Sequence, residues 1–202
     1  MRPGGLRDDS GQTILIYVVV VAGLLFAAFA YFAFAQAAMA RNGAQSAADA
    51  AALAAAQSVR DEMADGFTSS LQQKGDWAAW LQGDETVPGT GNAAAAQLAG
   101  ENNSSLDGIT PTTINGYPAF QASITTRFTV GKSILPVTSG RHAKAHAVAM
   151  IEPRCSVTPS DDSKKAIEFD CDGGQHWSID PKKLDDIELP EAKDLFAVHL
   201  AE

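Results

Sequence analysis

A cluster of basic residues is missing from this sequence of 202 residues, in which 24 Asp and Glu outnumber 15 Lys and Arg and the formal charge is -9. Binding to a phosphate backbone needs a basic footprint, so we expect no nucleic-acid partner. The same acidic balance argues against an exposed domain that lies flat on anionic lipid.

Cysteine is also scarce, since Cys155 and Cys171 are the two present. Two cysteines are too few for a disulfide-dense scaffold, but one pair is enough to close a loop. On an oxidising side of a membrane, such a bond would stabilise the C-terminal region by about 3 kcal/mol. We predict this disulfide; the alternative is two unpaired thiols.

Catalytic motifs are lacking as well. The sequence has no Gly-rich phosphate loop and no Gly-x-Ser-x-Gly elbow. His142 and His146 have a zinc-ligand spacing for a helix, but the alternation around them indicates a strand, with the ammonium of Lys144 between them. The segment from Asp170 to Gly173 begins like a calcium loop but lacks the later ligands. We therefore predict no enzymatic activity, no metal and no cofactor.

Charge is absent from residues 13–35, which are almost entirely apolar. A membrane-spanning helix needs about 20 such residues, and a buried helix of a soluble protein would show a polar face. We predict a transmembrane helix that contacts lipid over residues 13–35. The alternative is a signal peptide cleaved after Ala35 or Ala40, although the apolar run is longer than a typical signal segment.

The distribution of arginine predicts the orientation of this helix. Arg2 and Arg7 precede the apolar run, whereas Arg41 alone follows it before Arg60. Positive flanks stay inside, so we expect a cytoplasmic N-terminus and an extracellular C-terminal domain.

Alanine dominates the next segment, in which no proline interrupts. Alanine has the best helix propensity, so one helix over residues 13–63 would be about 75 Å long. Small residues, including Gly23 and Ala27 within the membrane, allow backbones to approach closely. This surface suits packing against another helix or against the protein's own ectodomain. The alternative is a spacer with no partner.

Residues 45–54 read Gln-Ser-Ala-Ala-Asp-Ala-Ala-Ala-Leu-Ala, with Gln45, Asp49 and Leu53 at intervals of four. This segment resembles the signature of TadE/TadG-like proteins, membrane-anchored components associated with the tight-adherence (Flp) pilus machinery. The resemblance covers about the first 57 residues and implies a helix-packing role for these three residues. It also implies partners among other pilus or secretion-apparatus proteins, contacted through the helix.

A possible processing site lies at Gly11 and Gln12, ahead of the apolar run. Pilin-type members of this machinery are cut after such a glycine and carry a Glu five residues further on, where this chain has Ile16. Because that intramembrane carboxylate is absent, we expect an uncut, anchored accessory protein rather than a polymerising pilin.

Periodicity in the exposed portion predicts short helices and then strands. Asp65-Gly66 suggests a break in the long helix, and Asp76 a cap for a turn bearing Trp77 and Trp80. The tryptophans would fill the core or, alternatively, lie at the membrane interface. Asn115-Gly116 is a strong turn signal between strands within residues 112–130.

Further strands are predicted beyond this hairpin. Residues 142–151 alternate as a third strand, and residues 167–169 and 177–179 are short strand candidates. Residues 191–200 are expected to form an amphipathic turn or helix, or to fray.

Together these patterns predict an α+β fold in which a long N-terminal helix precedes a small antiparallel sheet, the general plan of pilin-like proteins. The expected divisions are a cytoplasmic segment (1–12), the transmembrane helix (13–35), its alanine-rich extracellular extension (36–64), an α+β ectodomain (65–152) and an acidic C-terminal region (153–202). The expected function is that of a non-enzymatic, membrane-anchored assembly component of a Tad/Flp-type pilus or secretion apparatus, or alternatively an anchored module that binds a ligand through its acidic C-terminal domain.

Overall fold

One helix, α1, runs from Gln12 to Gln73 in the computed structural model of the protein. The structure describes residues 12–73, 75–85, 87–129, 140–157, 166–184 and 189–201. At 1.5 Å per residue, the 62 residues of α1 extend about 93 Å. The predicted long N-terminal helix is confirmed, and it is longer than expected at its C-terminal end.

The predicted break at Asp65-Gly66 is wrong, because α1 continues through both residues. Gly66 lies directly against the indole ring of Trp80, and a Cβ at this position would overlap the ring carbons. The glycine therefore marks a close approach between two elements rather than the end of a helix.

Two short helices follow α1 and pack against it: α2 is Trp77–Gln82 and α3 is Asn92–Glu101. Asp76 caps α2 as predicted, since its carboxylate accepts a hydrogen bond of 3.1 Å from the backbone N–H of Ala79. Trp77 and Trp80 are partly buried against the core, in agreement with the first of their two interpretations.

The strands form two antiparallel sheets. Their bounds are β1 Ser104–Ile114, β2 Tyr117–Thr129, β3 His142–Pro153, β4 Cys155–Val157, β5 Ile167–Cys171, β6 Gln175–Ile179 and β7 Phe196–Leu200. The larger sheet has the order β1-β2-β3-β7, and the smaller has the order β4-β5-β6. The α+β fold class is thus confirmed.

The hairpin of β1 and β2 turns at Asn115-Gly116, as predicted. Both residues have positive φ, 53° and 90°, which suits the right-handed twist of the two strands.

One face of the larger sheet covers the alanine-rich part of α1. The buried side chains of this face are Phe120, Ala122, Ile124, Ala147, Ala149 and Ile151. Phe128, predicted on the same face, lies against α1 at Gly43 but is 39% exposed, near the end of the sheet. Val130, the next predicted inward residue, lies outside the described residues.

The C-terminal residues include the expected helical turn but continue into a strand that was not expected. A single helical turn, α4 (Ala192–Leu195), leads into β7, which pairs with β3. Phe196 is fully buried, and the partner strand satisfies the backbone of this segment. Local sequence could not indicate the strand, because its stabilising partner lies some forty residues earlier in the chain.

Candidate partner-binding surface of the long helix

The first half of α1 is exposed and apolar. Apart from Val21, which is half-buried, its large side chains between Ile14 and Phe34 are 53% to 81% exposed, and none is fully buried. The core helix of a soluble protein would instead be covered. The segment is long and apolar enough to cross a membrane, and it fits a single-pass membrane protein.

Gly23 and Ala27 lie on this exposed half, four residues apart. A Cβ on Gly23 would meet no heavy atom within 4 Å. The protein's own structure therefore does not require a glycine here. A neighbouring helix that approaches closely would require one.

The alanine-rich half of α1 is enclosed by the rest of the protein. The larger sheet packs against it, and α3 lies alongside, with Gly91 directly against the backbone of Ala55. Ala44, Ala48 and Ala52 are fully buried. The alanine-rich segment therefore packs against the protein's own α+β domain, which was one of the interpretations of its sequence.

A narrow stripe of this half remains accessible, and it contains Gln45, Asp49 and Leu53. The side-chain amide of Gln45 donates a hydrogen bond of 2.8 Å to the carboxylate of Asp49. The same amide lies 3.5 Å from the backbone oxygen of His146 on β3. Leu53 is half-buried and packs against the core. We call these three residues the signature stripe.

The signature stripe continues toward the C-terminal end of α1 as an exposed polar row. Gln57, Asp61 and Asp65 follow at intervals of four and are exposed. Residues four apart are neighbours on a helix surface. The accessible side of α1 is therefore hydrophilic, in contrast to its apolar first half.

The two cysteines lie far along the chain from the signature stripe. The predicted disulfide is present and joins Cys155 on β4 to Cys171 on β5, which are paired across the smaller sheet. Phe169, on the same sheet, packs edge-on against Phe67 of α1, with ring centroids 5.9 Å apart. The bond thus closes a small sheet that is attached to the distal part of the long helix.

Other residues singled out in the sequence have simpler positions. Gln12 is the first residue of α1, and Gly11 lies outside the described residues. His142 uses Nδ1 in a 2.7 Å hydrogen bond to the backbone oxygen of Thr126. Asp170 pairs with His176 at 2.8 Å across the β5–β6 hairpin.

Sequence reasoning missed a cavity of about 370 Å³ in the α+β domain, beside the turn of the β1–β2 hairpin. Val59 and Met63 of α1 form part of its wall, together with Glu85 and Phe120. None of its lining residues belongs to region 153–202, to which the alternative ligand-binding function was assigned. Its walls come from a loop and a hairpin distant in sequence, so no single motif could have indicated it.

An apolar helix that fits a membrane span and continues into an α+β domain defines the class of this protein. Residues 11–58 match the model of a family described as Flp pilus-assembly TadE/G-like. The match includes the apolar half of α1 and the whole signature stripe, so the resemblance is confirmed over this segment and supports a pilus-related role. No curated protein and no solved structure matches the chain.

Proposed function

We propose that this protein is a membrane-anchored, non-enzymatic assembly component of a Tad/Flp-type pilus or secretion apparatus. One observation carries the proposal: the segment that matches the family includes both the exposed apolar half of α1 and most of its buried alanine-rich half. The exposed half would be covered by lipid and by partner helices. The enclosed half would hold the ectodomain rigidly on its anchor.

The proposed orientation places the N-terminus in the cytoplasm and the ectodomain outside. Arg2 and Arg7 before the span, against Arg41 after it, favour this direction. The disulfide between Cys155 and Cys171 supports it, because such bonds persist on the oxidising side of a membrane.

The divisions that follow are a cytoplasmic segment (1–12), the span (13–35), an enclosed helix extension (36–64), the body of the ectodomain (65–152) and the C-terminal region (153–202). Partner contacts are assigned to Gly23 and Ala27 within the span and to the signature stripe outside it. An uncut N-terminus is part of the proposal, since Ile16 replaces the carboxylate that pilin subunits carry.

The first test compares Gly23→Leu with Ala28→Leu in cells that assemble the pilus. Neither change should disturb the ectodomain, because both positions are exposed. Leucine at position 23 blocks close helix contact, and a loss of about 1.4 kcal/mol weakens association about tenfold. We expect Gly23→Leu to reduce pilus number and partner co-purification about tenfold, and Ala28→Leu, on a different face, to leave both unchanged.

Equal behaviour of the two variants would refute the assignment of Gly23. Pilus assembly that survives deletion of the whole protein, with loss of ligand uptake or sensing, would favour the ligand-binding alternative.

The second test is the intact mass of the protein extracted from native membranes. An uncut chain supports the anchored accessory protein. A chain beginning at Gln12 would indicate pilin-type processing, and one beginning at Gln36 or Arg41 would indicate a cleaved signal sequence and a released domain.

A further inference from the structure

The lower end of the ectodomain lies close to the point at which α1 leaves its apolar segment. Phe34 and Met39 are 81% and 64% exposed, whereas Ala40, one residue later, is 4% exposed. Gly43 already contacts the ectodomain, since a Cβ there would lie 3.2 Å from the ring of Phe128. Gly43 follows Ala35 by eight residues, or about 12 Å of helix.

A headgroup layer adds about 5–8 Å on each side of the hydrocarbon core. The contact at Gly43 thus lies a few ångströms above the headgroups, a distance that a long arginine side chain can bridge. Because α1 is one unbroken helix, no hinge within it lifts the ectodomain away from the bilayer. The lower end therefore lies at the headgroup surface if residues 13–35 span the membrane, as the proposed function has it.

Three chain segments meet at this lower end. The backbone N–H of Arg127 donates a 2.8 Å hydrogen bond to the oxygen of Asn103, which joins the end of β2 to the start of β1. His142, the first residue of β3, is paired with Thr129 at the end of β2. Arg141 is adjacent to that pair.

Among the described residues, the charge at this end is opposite to that of the whole protein. Arg41, Arg127 and Arg141 are exposed there, and Lys144 is exposed slightly higher on β3. The exposed acidic neighbours are Glu101 at the end of α3 and Asp107, which accepts a hydrogen bond from Thr125. The chain as a whole carries -9. We call Arg41, Arg127, Arg141 and Phe128 the basal patch. The average composition, which argued against contact with anionic lipid, conceals this local reversal of sign.

We propose that the basal patch docks on anionic phosphate headgroups of the membrane that α1 crosses. Guanidinium groups bind phosphate oxygens in a bidentate manner, and basic residues next to a span are attracted to anionic lipid. Phe128, 39% exposed, adds apolar surface at the same end of the domain. The contact holds the ectodomain at a fixed height and rotation above the bilayer.

The test places the full chain in vesicles and measures the depth of a fluorophore attached at Thr129→Cys, with the native disulfide intact. A nitroxide on the lipid headgroup quenches the fluorophore when the basal patch is docked. We expect at least about twofold stronger quenching in vesicles with one third phosphatidylglycerol than in pure phosphatidylcholine. Quenching should weaken in 1 M salt, where the screening length falls to about 3 Å.

The matched variants remove three positive charges each. Arg41→Gln with Arg127→Gln and Arg141→Gln should abolish the dependence on anionic lipid. Lys182→Gln with Lys183→Gln and Lys193→Gln, near the smaller sheet, should leave it unchanged. Quenching measured at increasing salt concentration requires no substitution in the basal patch. The inference can therefore be tested even if the triple arginine variant folds poorly.

Quenching that is equal in both lipids and insensitive to salt would overturn the inference while leaving the anchor intact. Extraction of the chain from vesicles by alkaline carbonate would overturn the anchor, and the basal contact with it.

Discussion

At the scale of single residues, glycines inside the helical region mark points of contact. Gly66 lies against Trp80, and Gly91 lies against the backbone of Ala55. In each case a Cβ would overlap atoms of the neighbouring element. A glycine within a helical sequence can therefore mark the close approach of another element, and not only a break in the helix.

Gly66→Ala separates these two causes. In an open helix this change stabilises by about 1 kcal/mol through helix propensity. Here the added methyl overlaps the Trp80 ring, and overpacking costs about 1–3 kcal/mol. We expect a net loss, with a Tm in detergent lower by about 2–6 °C.

The control for that change is a double-mutant cycle with Trp80→Leu. In this background the same alanine should be neutral or stabilising, because the overlapping ring is gone. A rise in Tm for Gly66→Ala in the otherwise unaltered protein would show that the contact with Trp80 is unimportant.

At the scale of elements, the alanine-rich half of α1 is the centre of the core of the α+β domain. Ala44, Ala48, Ala51, Ala52 and Ala55 have no exposed surface. Small side chains are needed on several faces at once, because the sheet and α3 both approach the helix backbone closely. This packing explains why the segment is so rich in alanine, a composition that would otherwise suggest a low-complexity sequence.

Ala52→Leu should be destabilising, and Gln57→Leu should not. The two residues lie on the same helix, and the helix propensity of leucine is close to those of alanine and glutamine. A difference in Tm between the two variants therefore reports a difference in packing. Ala52 is fully buried, whereas Gln57 is exposed. We expect a cost of about 1–3 kcal/mol for the first, a Tm lower by about 2–12 °C, and a change within about 0.5 kcal/mol for the second. Equal Tm values would contradict this account of the core.

Much of this arrangement could be predicted from local pattern. The alternation in β2 and β3 and the Asn115-Gly116 turn indicate the central hairpins, because period and turn chemistry are local properties. The start of β1 was missed, since Gly108 and Pro111 interrupt its pattern. The direction in which the alanines pack could not be predicted, because a nearly uniform run has no periodicity that distinguishes one face.

Sequence also indicates only part of the candidate site. Gln45 and Asp49 could be singled out by their spacing, and the structure joins them by a hydrogen bond. The nearby oxygen of His146 and the basal patch depend on strands that are distant in sequence. No local sequence motif indicates which residues of those strands lie near α1.

At the scale of the whole molecule, the disulfide holds the C-terminal region to the rest. Cys155 follows β3 of the larger sheet almost directly, and Cys171 lies on the sheet that packs against α1 through Phe169. A covalent link across 16 positions of chain limits the unfolded state, at a gain of about 3 kcal/mol.

The double variant Cys155→Ala with Cys171→Ala should lower the free energy of unfolding by about 3 kcal/mol and the Tm by about 6–12 °C. Reduction of the original protein after unfolding should give the same Tm as the variant. The chain isolated from membranes should gain two daltons on reduction. No gain would contradict both the bond and the proposed oxidising side.

The continuity of α1 has a mechanical consequence. The part beyond residue 35 extends about 57 Å, and it shares one axis with the part that fits the bilayer. If residues 13–35 span the bilayer as proposed, a change of about 10° in their tilt, well within the range of membrane helices, moves the far end sideways by about 10 Å. The helix would then act as a lever arm. A partner that shifts its tilt strongly enough to release the basal patch from the headgroups would displace the far surface without any rearrangement inside the domain.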